Sequence, residues 1–190
     1  MAELLGVLSA FGLSASAGLN AYIPLLVVAL LARFTNLLTL QSPWDALSSW
    51  WVICVLAFLS LIEALADKIP AVNHVNDLIQ SLVRPVAGAI VFAASAEVVT
   101  DIHPALSLVL GLLVSGGVNA VKTLAVRPAV TATTGGAGNV PVSMAEDLVS
   151  TVVSLLSVIV PVVIACFLVL LTAWIIWRLY RRAKREQYTP

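Results

Sequence analysis

Charged side chains are scarce in this sequence. They make up 11% of its 190 residues, against about 25% in a soluble domain. Apolar residues make up 61% and mean hydropathy is +1.04. So little polar material cannot cover a soluble core, and the chain reads as one polytopic membrane domain. Cysteine is nearly absent. Cys54 and Cys166 lie in apolar runs without metal-ligand spacing, so they read as small buried hydrophobes rather than a disulfide or a zinc site. Histidine is as rare: His74 and His103 form no HExxH or clustered pattern, and no metal is expected. The N-terminus "MAELLGVLSAFG" lacks a basic n-region and carries Glu3, which points to a retained first helix rather than a signal peptide. "TTGGAGN" lacks the Gly-Lys-Ser/Thr ending of a P-loop, so no nucleotide site is called for. No cofactor is expected, and no nucleic acid.

What the chain does have is apolar length. Five segments stand out, at about 5–32, 48–66, 85–100, 104–124 and 150–178. A crossing needs about 20 residues. The third segment is short, and only "DIH" parts it from the fourth. The two form a tight helical hairpin, crossing fully or re-entrant. The fold class is all-α: a polytopic helical membrane protein with about five membrane segments. Residues 1–178 form a single transmembrane domain and 179–190 a basic tail. "RLYRRAKRE" holds Arg178, Arg181, Arg182, Lys184 and Arg185, half of the ten basic residues. The positive-inside rule places this tail in the cytoplasm. Counting back from it, segments one and four run in opposite directions. Trp44, Trp50, Trp51, Trp174 and Trp177 then share the cytoplasmic interface. Lys68, Arg84, Lys122 and Arg127 fall on the opposite side, against the rule.

Two stretches between spans carry a pattern. "AVNHVNDLIQSLVR", residues 71–84, puts Val72, Val75, Ile79 and Leu82 on one helical face and Asn73, Asp77, Gln80 and Arg84 on the other. It predicts an amphipathic helix, on the interface or lining a polar cavity. Residues 128–142 are expected to be a Gly/Thr-rich loop. Ser143 and Glu146 fit a capping box, which starts a helix near residue 144.

"GLSASAGLNAYIPLL" (12–26) and "GLLVSGGVNAVKTLA" (111–125) look like two copies of one element. They match at Gly12/Gly111, Leu13/Leu112, Ser16/Ser115, Gly18/Gly117, Asn20/Asn119, Ala21/Ala120 and Leu25/Leu124. Antiparallel copies would be an inverted repeat, which builds a site near the bilayer midplane from broken helices. Gly18, Pro24, Gly116 and Gly117 are the expected helix-breaking residues. Pro24 has no N–H, and its ring displaces the carbonyl of residue 20. Lipid cannot satisfy such freed groups, so protein, water or a solute must. Asn20 and Asn119 are then either ligands of a bound species or an asparagine pair holding the copies together.

Charges inside the spans supply the other candidates. "LSLIEALADKIP" places Glu63 and Asp67 on one helical face, and "AEVVTDIH" repeats the spacing with Glu97 and Asp101. A charge near the bilayer centre costs about 2.5–3.5 kcal/mol or more, so it usually faces a cavity or a partner. A proton relay, a cation site and an ion pair with Arg84 all fit. Arg84-Pro85 and Arg127-Pro128 each set an arginine ahead of a proline-started helix or turn, which favours an anion such as a phosphate head group. The candidate substrate- or ion-binding set is Asn20, Asn119, Glu63, Asp67, Asp77, Arg84 and Arg127.

"GLSASAGLNAYIPLL", "EALADKIPAVNHVNDLIQSLVRPVAGAIVFA" and "TTGGAGNVPVSMAEDLVS" together resemble a family of small bacterial integral-membrane proteins catalogued only as a domain of unknown function. The resemblance covers about residues 8–175, and "ADKIP…ND…RP" is its most specific part. It implies a bacterial inner-membrane protein and brings no activity, substrate or catalytic residue. The residues themselves point first to a transporter or channel for a small ion or polar solute, assembled as a homo-oligomer. The alternative is binding or translocation of a phosphorylated, anionic membrane lipid. A membrane enzyme ranks below both, because Ser143 and Thr133 have no histidine with a motif-level claim to them. A structural subunit of a membrane complex is the remaining reading.

Overall fold

Many large apolar side chains face outward, while serines and charged residues are buried beside the apolar core. Leu78, Leu82, Leu124 and Leu148 are among the most exposed residues, while Ser14, Ser16, Ser115, Ser150 and Ser154 are fully buried. That inversion suits hydrocarbon, where buried small and polar residues hold helices together and lipid solvates the rest. The computed structural model describes residues 2–66, 70–96 and 102–186. Asp67, Lys68, Glu97 and Asp101 lie outside the described residues. The helices are α1 (Ala2–Leu19), α2 (Tyr22–Phe34), α3 (Trp50–Ala66), α4 (Pro70–Ala96), α5 (Pro104–Val121), α6 (Arg127–Thr134) and α7 (Asn139–Glu186). A 3-10 turn at Trp44–Ser48 precedes α3, and a π turn at Lys122–Val126 joins α5 to α6. Three stretches are long and apolar enough to cross a membrane: Asn76–Ala96, Pro104–Thr134 and Asn139–Pro161. The protein is an all-helical, polytopic membrane-type bundle.

Small residues bring α1, α4, α5 and α7 close together. A Cβ on Gly18 would lie 2.6 Å from the Ser115 carbonyl oxygen, and one on Gly111 would lie 2.5 Å from that of Gly88. Such spacing is open only to glycine. Ser14 Oγ donates to the Gly111 carbonyl at 2.8 Å. Ser16 Oγ meets Ser150 Oγ at 2.8 Å and Ser154 Oγ at 2.7 Å.

These contacts fix the helix directions and correct the inverted repeat. Ser14 lies beside Gly111, Gly18 beside Ser115 and Val118, and Leu19 beside Lys122. Position rises together along both helices, so α1 and α5 run the same way. Helix α4 runs against both. Phe11 meets Phe92 edge to face, Ser14 lies by Gly88, and Gly88 and Phe92 meet Ser115 and Gly111. Helix α7 also opposes α1, with Ser157 at Gly12 and Asp147 at Asn20. The physical reason is a break at Asn20. Segment 5–32 is not one crossing but two helices, α1 of 18 residues and α2 of 13, and α2 is shorter than the hydrocarbon core requires. The two matched stretches lie side by side, and their small residues form the seam between them.

Other boundaries differ as well. The amphipathic stretch 71–84 and the segment 85–100 are parts of one helix, α4, with Pro85 inside it. Its polar face turns inward, since Gln80 and Arg84 are buried while Ile79 and Leu82 are exposed. In lipid an amphipathic helix buries its polar side. The expected loop 128–142 is helical except for a turn at 135–138, where Gly135 and Gly136 adopt positive φ (62° and 91°). Helix α7 begins at Asn139, so Ser143 and Glu146 lie inside it and form no capping box. The basic run 178–186 is its last turns.

Candidate functional site

The break between α1 and α2 is built around Asn20. Its Oδ1 accepts the backbone N–H groups of Tyr22 and Ile23, each at 3.0 Å. It therefore caps α2 as N-cap asparagines do. Pro24 falls in the first turn of α2, where a missing N–H is tolerated. The break is thus at Asn20, not at Gly18 or Pro24. Asn20 Nδ2 donates to Asp147 Oδ1 at 2.9 Å, tying the break to α7. The Leu19 carbonyl at the end of α1 accepts from Lys122 Nζ at 2.8 Å. A cation at a helix C-terminus also meets the negative end of its dipole.

Lys122 opens the π turn. Pro128 cannot donate to the Leu124 carbonyl, and its ring crowds that position. Thr123 Oγ1 donates back to the Asn119 carbonyl at 2.9 Å. Both loosen the ladder where the turn widens. The widening has a consequence for Lys122 and Arg127. Five residues apart on an α-helix, they would diverge by roughly 140°. A π turn, bonded over five residues, brings them to one face. Both reach the same atom: Glu146 Oε2 lies 2.9 Å from Lys122 Nζ and 2.8 Å from Arg127 Nη2. Gly116 and Gly117 do not break α5, which is intact to Val121.

From Glu146 the chain of charges continues. Arg127 Nη1 lies 3.9 Å from Asp77 Oδ2, and Arg84 Nη2 lies 3.8 Å from Asp77 Oδ1. Arg84 Nη2 also pairs with Glu63 Oε1 at 3.3 Å. Glu63, Arg84, Asp77, Arg127, Glu146 and Lys122 thus form one line of alternating sign. It draws on α3, α4, α6, α7 and the π turn. Side-chain exposure is 2% for Glu63, 1% for Arg84 and 3% for Lys122, and highest, at 18%, for Asp77.

Asn119 serves this line. Pro85 cannot bond the Ser81 carbonyl, and Asn119 Nδ2 reaches that carbonyl at 3.5 Å while its Oδ1 accepts from Arg84 Nη1 at 3.2 Å. Ser115 Oγ donates to the Arg84 carbonyl at 2.7 Å. Asn20 and Asn119 therefore have separate partners and are not bonded to each other. Of the candidate set, Glu63, Asp77, Arg84, Arg127 and Asn119 come together. Asn20 sits at the adjoining break, and Asp67 lies outside the described residues.

Lys122 and Glu146 are not in the candidate set, the first counted only among the cations opposite the tail and the second as a capping partner. Lys122 stands within the apolar segment 104–124, so the criterion that singles out Glu63 applies to it equally. Three of the four cations that break the positive-inside pattern, Arg84, Lys122 and Arg127, are buried inside the bundle, where that rule does not reach. Beside the π turn lies a groove of about 590 Å³ between α5 and α7, walled by Val114, Val118, Val142 and Val149 and bordered by Lys122 and Glu146.

No curated protein and no solved structure is significantly similar to the chain. One family model matches from residue 7 to residue 182, nearly the whole sequence. The chain belongs to that family, described as Domain of unknown function (DUF4126).

Proposed function

We propose that the protein is a small membrane transporter or channel for a small ion or polar solute, with the line from Glu63 to Lys122 as its polar path. The observation that carries this reading is six alternating charges, five of them buried and Asp77 partly so, within or beside helices long and apolar enough to cross a membrane. Stability alone is a weak reason to keep them. Replacing a buried ion pair by well-packed apolar residues is often neutral or stabilising by about 1–4 kcal/mol. Ionisable groups inside membranes instead mark ion and proton pathways. Glu63 exchanges protons or cations, while the arginines attract the counter-charge.

The test is flux into proteoliposomes followed with a pH-sensitive dye and an ion gradient. Glu63→Gln keeps the side-chain shape and a hydrogen bond to Arg84. Its flux, or the pH dependence of its flux, should change while the protein elutes as a folded species. Normal transport by the variant at every pH contradicts the path.

A second reading, binding of a phosphorylated membrane lipid, draws on the groove between α5 and α7. Its valine walls suit an acyl chain. Arg84, fully buried, is closed to a head group. Gly117 borders the groove, and a Cβ there meets nothing within 4 Å, so Gly117→Leu fills the space without a clash at its base. Native mass spectrometry of protein gently extracted from its own membrane should then show one retained lipid per chain, lost in Gly117→Leu. Equal retention in both removes the lipid reading.

A further inference from the structure

Asp77 is the loosest link in the line. Its carboxylate lies 3.8 Å from Arg84 and 3.9 Å from Arg127, outside hydrogen-bond reach. Its Oδ1 is buried with no hydrogen-bond partner among the described residues, and so are Arg84 Nε and Arg127 Nε. Gln80, one turn along the same face of α4, is 2% exposed, and its Oε1 is equally unpartnered. Buried polar groups are normally satisfied, and a cluster of exceptions points to a missing water or ion. Two donors and two acceptors, one of them the Asp77 oxygen itself, are left without hydrogen-bond partners on these four residues.

We infer that Asp77 is a tethered stand-in for a small monovalent oxyanion, which binds between Arg84 and Arg127 when Asp77 swings aside. The inference deepens the transport reading by naming its solute class, and rests on that reading for movement but not for binding. Charge sets the valence. Among the described residues, with Asp77 turned out, Arg84, Lys122 and Arg127 pair with Glu63 and Glu146, leaving one positive charge in excess. A monoanion restores neutrality, and a dianion overshoots it within a low-dielectric bundle. Shape sets the class. The guanidinium fork matches a planar carboxylate, and a carboxylate is what must be replaced, so formate, a short monocarboxylate or bicarbonate fits best. The Gln80 amide can donate to the anion or accept from its hydroxyl. Asp77 has partial exposure and therefore room to leave.

The test is binding of [13C]formate to the full chain in detergent, read by NMR line broadening, with chloride and sulfate as competitors. Wild type should bind formate, and chloride and sulfate should displace it poorly. Asp77→Asn should bind formate roughly tenfold more tightly, because the tethered competitor has lost its charge. Arg127→Gln and Gln80→Leu should weaken it. Equal formate affinity in wild type and Asp77→Asn, or binding in neither, overturns the inference. If Arg127→Gln fails to fold, the Asp77→Asn comparison decides alone. Binding without flux sinks only the transport reading, and flux without formate binding sinks only the anion site.

Discussion

Arg84→Ala is expected to lower the unfolding free energy by about 3–5 kcal/mol, the usual cost of stripping one partner from a buried pair. Arg84 is fully enclosed. Its guanidinium faces Glu63 at 3.3 Å and Asp77 at 3.8 Å, and bonds Asn119 at 3.2 Å. Truncation leaves a cavity, takes the guanidinium from Glu63 and leaves Asp77 with Arg127 at 3.9 Å, in a medium that solvates charge poorly. The double variant Glu63→Gln/Arg84→Gln removes both charges and keeps amides that can bond each other, so it should recover most of the loss. Denaturant unfolding in micelles, followed by circular dichroism, reads both variants. An Arg84→Ala unfolding free energy within about 0.5 kcal/mol of wild type, as surface substitutions show, would mean that water already reaches the pair.

Glu146→Ala should be at least as damaging, again at about 3–5 kcal/mol, and for a different reason. One carboxylate oxygen accepts from both Lys122 and Arg127. Without it two cations brought together by the π turn repel each other, at roughly 4 kcal/mol for a 4 Å separation in an effective dielectric of about 20. Lys122 also holds the Leu19 carbonyl at the end of α1, so the damage should spread to the break between α1 and α2. Hydrogen exchange should rise at the amides of Tyr22 and Ile23, which Asn20 caps. Arg127→Gln/Glu146→Gln, which removes the repulsion and keeps Lys122 on the Leu19 carbonyl, should restore their protection. Unchanged exchange there in Glu146→Ala contradicts the coupling between the two sites.

Much of the site was legible because charge is so rare in this chain. Glu63, Asp77, Arg84 and Arg127 stand out against apolar surroundings, and four of the expected ligands meet in one line. The membrane class follows from composition alone. The pattern around Gly12, Ser16 and Gly18 marks a helix seam correctly, but its direction came out reversed. The error lies at Asn20. A capped break inside an apolar run leaves hydropathy unchanged, so α1 and α2 read as one crossing and the parity of every later helix shifts. Lys122 was hidden by a different geometry. On a regular helix it would point away from Arg127, and only the π turn before Pro128 aligns them. Glu146 was masked by a plausible local partner, Ser143, because the Gly/Thr-rich stretch before it looks like loop and is helix.

Stability and ion movement separate most cleanly in the Glu63→Gln/Arg84→Gln double variant. It neutralises one end of the line without leaving an unpaired charge, so its fold should survive. The measurement is its flux beside wild type in the same proteoliposomes, at equal amounts of folded protein. An ion path predicts that wild type carries flux and that the double variant, though folded, has lost it. Undiminished flux through the folded double variant would show that the Glu63–Arg84 end of the line is a brace and carries nothing.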